Sequence, residues 1–346
     1  MDKVFAALLI TLGLFMFSCT ATKKNYSPSN KYDRLTLLKD YNLLREILEH
    51  KHPSLYWYTS KDSMDMYFEK YKSAINDSMT EQQFAWKVLA PLVNKIKCGH
   101  TSVSFSKDYS KWMANKKIPS FPLFMKIWND SMFVMVNLNR KDSIIKRGTL
   151  ITSVNGLSAS ELSQKMFDYL PQDGNATSNN YIRMSANFPY YHRNIYGLSK
   201  TYMVSYIDST GIANTTSIPL YTPTIDSVKK PRTARPPRSV TPKVSRRSGY
   251  RSLTIDSSGT FAVMTLHTFS KGRLRQFFRQ SFKTLEKKEI NNLVLDIRYN
   301  GGGKVGLSTL LTRYLTRKPF RVADSLYAVS KNLKPYTKYI TGKFFN

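Results

Sequence analysis

The sequence predicts a mixed α/β (α+β) protein in three parts: an N-terminal helical subdomain, a β-rich module and a partial mixed α/β sheet core. Three observations carry this reading. Apolar residues recur at helical spacing in three stretches between Leu35 and Ile96. From Phe121 to Tyr221 the pattern changes to short strand-like runs parted by turn residues. Beyond Ser252, strand, helix, strand and helix patterns succeed one another, the order of a parallel or mixed sheet. The chain has 346 residues, 41% of them hydrophobic, enough for a sizeable core and for two or three domains.

The first 19 residues read "MDKVFAALLITLGLFMFSC". Lys3 supplies a positive charge, and Val4 to Phe17 is apolar and uncharged. That run is shorter than the roughly 20 residues a membrane-spanning helix needs. With Met16-Phe17-Ser18 ahead of Cys19 it is similar to a bacterial lipoprotein signal, although Phe17 is bulkier than is usual there. An uncleaved anchor and an ordinary signal peptide are the alternatives, and all three imply export. A lipid on Cys19 would tether the protein to a membrane of the cell envelope, at the outer membrane or the periplasmic face. Residues 20–34 would then form a polar stalk. Cys98 is the only other cysteine, so the mature chain holds no intramolecular disulfide and rests on its core.

Residues 35–115 form the helical subdomain. Leu37, Leu38, Tyr41, Leu44, Ile47 and Leu48 mark a helix from Leu35 to Glu49, which Pro53 ends. Ser60 to Asn76 gives a second. Thr80 with Gln83 is a capping-box signature for a third, running through Val88, Leu92 and Ile96. "CGHTSVSF" then reads as a Gly-His turn leading into an alternating strand.

In residues 116–222, "LFMKIW" and "MFVMVNL" form a strand pair around Asn129-Asp130-Ser131. The strand Leu150 to Val154 meets an Asn155-Gly156 turn, and Ser158 with Glu161 caps a helix. Tyr202 to Ile207 and Thr215 to Tyr221 suggest a hairpin. The strand–turn–helix around "SVNG" resembles the core of a PDZ-like module, and that resemblance implies capture of peptide C-termini by strand addition. Strand–Asn-Gly–helix also occurs in many other α/β proteins.

Residues 223–251 break all periodicity. They are rich in Pro, Ser and Arg, and read as a disordered basic linker. The formal charge of the chain is +30, from 53 Lys and Arg against 23 Asp and Glu. Such a charge favours anionic partners. About a quarter of the excess sits in this linker, which lacks the interleaved aromatics of a nucleic-acid stacking platform. Together with the export signal this argues against nucleic acid as a partner.

Residues 252–346 supply the sheet core. "SLTIDSSGTFAVMTLHTF" reads as a strand pair, Arg273 to Lys288 as a helix, and Leu293 to Ile297 as a strand buried on both faces. Gly301, Gly302 and Gly303 follow, then a helix to about Leu315, and Phe320 to Ser330 begins another strand. Function in such sheets gathers where strands end, and glycines there let backbone amides point into open space. Such amides make a cradle for negative charge. A phosphate loop is excluded because Val305 follows Gly303-Lys304 and Arg298 stands where the first glycine belongs. A dinucleotide pattern on Gly301, Gly303 and Gly306 fits an exported chain poorly. An oxyanion hole for acyl transfer and a tight turn without chemistry remain. No cofactor or metal is expected.

"LVLDIRYNGGG" resembles the DxRxNxGG signature of the C-terminal processing (tail-specific) serine peptidases, including their tricorn-like branch. "KIKCGHTSV" is similar to that family's DGHT segment, and "GTLITSVNG" lies where the family carries a PDZ-like insertion. The resemblance implies a serine peptidase acting on peptide or unfolded protein. It implies His100 as general base, with the amides of Gly301 and Gly302 as the oxyanion cradle. His100 as a turn-stabilising side chain is the structural alternative. Asp296, Arg298 and Asn300 are expected to support the loop through a buried ion pair or turn hydrogen bonds. Cys98, where the family pattern has an acid, reads as a packed thiol. The nucleophile is not identified: Ser308 falls within the helix after the glycines, and Ser325 and Ser330 lack a small-residue elbow. The sequence ends before a second βα unit, so the expectation is an incomplete catalytic half with little activity. The rival expectation is a non-catalytic lipoprotein that binds peptide C-termini.

Overall fold

The computed structural model describes residues 26–114, 116–223, 248–324 and 332–340. The signal segment, Cys19, the start of the stalk and nearly all of the basic linker lie outside the described residues, as do Ser325 and Ser330. The chain divides into two compact units, residues 1–226 with 328–346 and residues 227–327.

In the first unit, β1 (Lys31–Tyr32) pairs antiparallel with β2 (Met79–Thr80), so the segment expected as a stalk supplies a short strand. Helix α1 (Arg34–Lys51) starts where Asp33 Oδ1 accepts the Thr36 N–H at 2.9 Å. Ser60 caps α2 (Lys61–Ser73) in the same way. The Thr80–Gln83 capping box is present and opens α3 (Glu81–Phe84). A π-helical turn, Ala85–Leu89, joins α3 to α4 (Ala90–Lys95). Its cause is local. Pro91 has no N–H to give the carbonyl four residues back, and the turn widens so that the Ala90 N–H reaches the Ala85 carbonyl. Met64, Phe68, Val88, Leu92 and Ile96 interlock in the core between these helices. Burial of each stabilises by about 1.5–3 kcal/mol.

The β-rich part of this unit is one antiparallel sheet. Its strands are β3 (Leu123–Trp128), β4 (Ser131–Asn137), β5 (Leu150–Val154), β7 (Thr201–Ile207) and β8 (Ala213–Pro219), in that spatial order. The short β6 (Leu157–Ser158) pairs with β5 across the Asn155-Gly156 turn, where both residues have positive φ. The Ser158–Glu161 capping box starts α6 (Ala159–Phe167). Leu123, Met125, Ile127, Met132, Val134 and Ile151 face inward under α6 and α7 (Ser178–Tyr196). The sequence reading had no counterpart for α7 or for α5 (Lys107–Met113). Helix α7 contains Pro189 and is kinked at Asn187, φ −143°, so its apolar period is broken where a helix would be sought. Residues 332–340, within the range expected for the sheet core, belong to the first unit: Tyr336 is buried and its hydroxyl donates to Glu46 Oε1 at 2.7 Å.

In the second unit, β9 (Arg251–Ile255) pairs antiparallel with β10 (Phe261–Leu266), and β11 (Asn292–Asp296) pairs parallel with β10. Helix α8 (Leu274–Lys287) makes the crossover and α9 (Val305–Leu315) follows β11. Met264, Leu266, Phe278 and Leu311 form the core, with Leu293 and Leu295 against it. The expectation that β11 is covered on both faces is corrected. Val294 is 53% exposed because the helices cover one face of the sheet, and Ile297, just past the strand, is 49% exposed. Residues 320–324 form no strand.

Candidate active site

The bend after β11 is built around Asn300. Its Oδ1 accepts the Gly302 N–H at 2.8 Å and its Nδ2 donates to the Leu266 carbonyl at 3.1 Å. The side chain therefore ties the glycine loop to the end of β10. Gly302 and Gly303 have φ of 86° and 145°. A Cβ on Gly303 would lie 2.5 Å from the Phe269 carbonyl carbon, so no side chain fits there. The close approach lets the Phe269 N–H reach the Gly302 carbonyl at 2.8 Å and the Lys304 N–H reach the Phe269 carbonyl at 3.2 Å. The expectation that the Gly302 amide forms part of an oxyanion cradle is corrected, because its N–H is taken by Asn300; of the three glycines, Gly301 and Gly303 are left with N–H groups that have no acceptor among the described residues. They lie just ahead of α9, whose first turn has no side-chain cap. That arrangement can receive an oxyanion.

Asp296 and Arg298 form a forked pair, Nε to Oδ1 at 3.0 Å and Nη2 to Oδ2 at 2.8 Å. Asp296 Oδ1 also accepts the Arg298 N–H. The hydrogen bonds from Arg298 hold the Asp296 carboxyl down at about 2. The expectation was a buried ion pair or turn hydrogen bonds, and the Arg298 N–H to Asp296 Oδ1 bond is of the second kind. The Arg298 side chain is 80% exposed in the turn just past β11, while that of Asp296 is 16% exposed at the strand end. It shapes the strand end without the cost of a desolvated charge.

In the first unit, His100 sits in the turn that follows α4, and its side chain is exposed. The turn is held by other groups. The Thr101 N–H donates to the Cys98 carbonyl at 3.0 Å, and the Gly174 N–H to the Lys97 carbonyl at 2.9 Å. His100 makes no hydrogen bond among the described residues, so its imidazole does not hold the turn together. Cys98 is a free, partly buried thiol packed against the helical core.

His52 escaped the sequence reading. Its Nδ1 accepts the Ser54 N–H at 3.2 Å, which leaves the proton on Nε2, 2.7 Å from Thr101 Oγ1. Burial lowers its pKa and favours this neutral form. His52 thus pins the residue next to His100. The one available signal was a histidine immediately before Pro53, at the end of a helix. Ser308 is held inside α9, its Oγ donating to the Val305 carbonyl at 2.8 Å, and is not poised as a nucleophile. Among the described residues no three His, Cys, Asp or Glu side chains group as a metal site would.

A family model matches residues 260–338, from β10 through the glycine loop to the segment around Tyr336. The match is to Peptidase family S41. The resemblance drawn from the glycine signature is borne out there. No curated protein matches the chain by sequence. Among solved structures, mature CPAF complexed with lactacystin superposes with a TM-score of 0.52 at 12% identity, covering 81% of this chain and 59% of that one. A CPAF mutant gives 0.50 at 12% identity, covering 79% and 57%. These likenesses show a shared mixed α/β fold. The photosystem II D1 C-terminal processing protease aligns over 82% of this chain and 65% of its own, at 12% identity and a TM-score of only 0.31. The chain spans about 59% of the length of the first of these structures.

Proposed function

We propose that the protein is a serine-type peptidase, an endopeptidase or C-terminal processing protease, held at the bacterial cell envelope by a lipid on Cys19. The observation that carries this is the S41 match across a loop that leaves the Gly301 and Gly303 amides without acceptors ahead of a helix. In this reading His100 accepts the proton of a serine nucleophile and returns it to the leaving amine. The loop amides stabilise the tetrahedral oxyanion, each by about 3 kcal/mol. Asn300 fixes the loop, and His52 fixes the turn that carries His100. The substrate is peptide or unfolded protein, with no cofactor.

The test expresses the protein from its own gene and follows new termini in an unstructured protein by mass spectrometry. Cleavage is expected, and His100→Ala should reduce it by roughly 10²–10⁴-fold. Unchanged turnover in that variant removes His100 from the mechanism. Absence of cleavage overturns the reading.

A further inference from the structure

The segment expected to be a strand after the Gly-His turn pairs with no strand among the described residues. Val103 and Phe105 are half-buried while Ser102 and Ser104 are exposed, the alternation of a strand with one covered face. Yet the N–H groups of Ser102, Val103, Ser104 and Phe105 have no acceptor among the described residues. Order returns only at Ser106, whose N–H and Oγ are both held by Glu81. A row of open backbone groups in a strand-like segment is a template for an added strand.

Ser102, Val103 and Phe105 also line a cavity of about 130 Å³ within the first unit. Its other walls include Trp86, Tyr169, Tyr190 and Tyr191. Trp86 lies in the π-helical turn and stacks on Tyr169 with centroids 6.2 Å apart. A cavity of about 150 Å³ accepts a benzene ring, so this one suits a single aromatic or large aliphatic side chain. Arg183 stands in the same wall and has no carboxylate partner among the described residues. It lies close enough to Tyr191 to oppose the upward push of burial on that hydroxyl. An unpaired guanidinium beside an apolar pocket is complementary to a carboxylate attached to an apolar group.

We propose that Ser102–Phe105 takes a peptide as its missing strand, with the apolar side chain of the peptide's last residue in the aromatic cavity and its free carboxylate on Arg183. Ser102 is two residues from His100, so their Cα atoms lie no more than about 7.6 Å apart. The site would therefore hold a peptide tail beside the turn that carries the candidate base. In naming that tail, the inference rests on the reading of peptide as substrate. Binding and not cleavage is measured, so the two fail separately.

The experiment is fluorescence anisotropy on the full chain with a labelled hexapeptide ending in phenylalanine. The same peptide amidated at its C-terminus, and one ending in alanine, are the comparisons. Each change is expected to weaken binding at least tenfold. Arg183→Gln should abolish the preference for the free acid, and Ser104→Pro, which removes one N–H from the open edge at an exposed position, should weaken all binding. Equal affinity for the three peptides overturns the proposal, whatever the variants do. So does undiminished acid preference in a folded Arg183→Gln protein, which would assign tail capture to another part of the molecule.

Discussion

At the scale of single residues, the three glycines divide by what a Cβ would meet. At Gly301 it meets nothing and the backbone is unstrained, so Gly301→Ala should change stability by less than about 0.5 kcal/mol. Gly302 is open but has φ of 86°, and alanine there should cost about 1 kcal/mol. Gly303→Ala should cost more than about 3 kcal/mol, because the clash is with the Phe269 and Ser270 backbone, which cannot swing aside. Urea unfolding of the three variants checks the order, and a Gly303→Ala protein as stable as wild type would refute the loop's geometry. The glycine run was plain in the sequence. Which amides it leaves open was not, because that depends on the Asn300 side chain folding back onto Gly302. His192 makes a second residue-scale prediction. It is 3% exposed, stacks on Phe121 with centroids 4.6 Å apart, and burial lowers its pKa to about 4. The unfolded chain binds its proton near pH 6.5 and the folded chain only near 4. Stability from the neutral ring is therefore fully present above pH 6.5 and falls as pH drops toward 4, by roughly 3 kcal/mol in total. His192→Phe should flatten that part of the stability profile between pH 7 and pH 4. An unchanged slope would contradict it.

At the scale of elements, local chemistry made much of the fold legible. The two capping boxes, Thr80–Gln83 and Ser158–Glu161, mark helix starts from side chains that bond within four residues. Ser158→Ala should cost about 1 kcal/mol in thermal unfolding, and a neutral result would show that tertiary packing alone sets that end. The Asn155-Gly156 turn and the hairpin β7–β8 were readable for the same reason. Helix α7 was not, since Pro189 and the asparagines argue locally against a helix that the sheet beneath it stabilises. The exposed face of β11 was hidden too. An apolar run reads as doubly covered whether or not the sheet continues past it. The stretch from Thr101 to Phe105 has the alternation of a strand, and sequence cannot say whether a partner lies alongside.

At the scale of the whole molecule, the chain is strongly basic, and part of that excess falls in residues 223–251. No helix among the described residues is long and apolar enough to cross a membrane. The mixed α/β class and the S41 pattern were legible because a short signature at a strand end is dictated by backbone geometry. The candidate site was legible in part. His100 and the glycine loop could be singled out as candidates from the sequence, while His52 and the role of Asn300 as a clamp needed coordinates. The account stands on peptide-bond hydrolysis that uses the imidazole of His100. The most direct test is the rate of cleavage of a quenched fluorogenic peptide by the wild-type protein and by His100→Ala, compared from pH 5 to 8. The account predicts a loss of at least a hundredfold in the variant at every pH of that range. Equal rates for the two proteins across that range would contradict it.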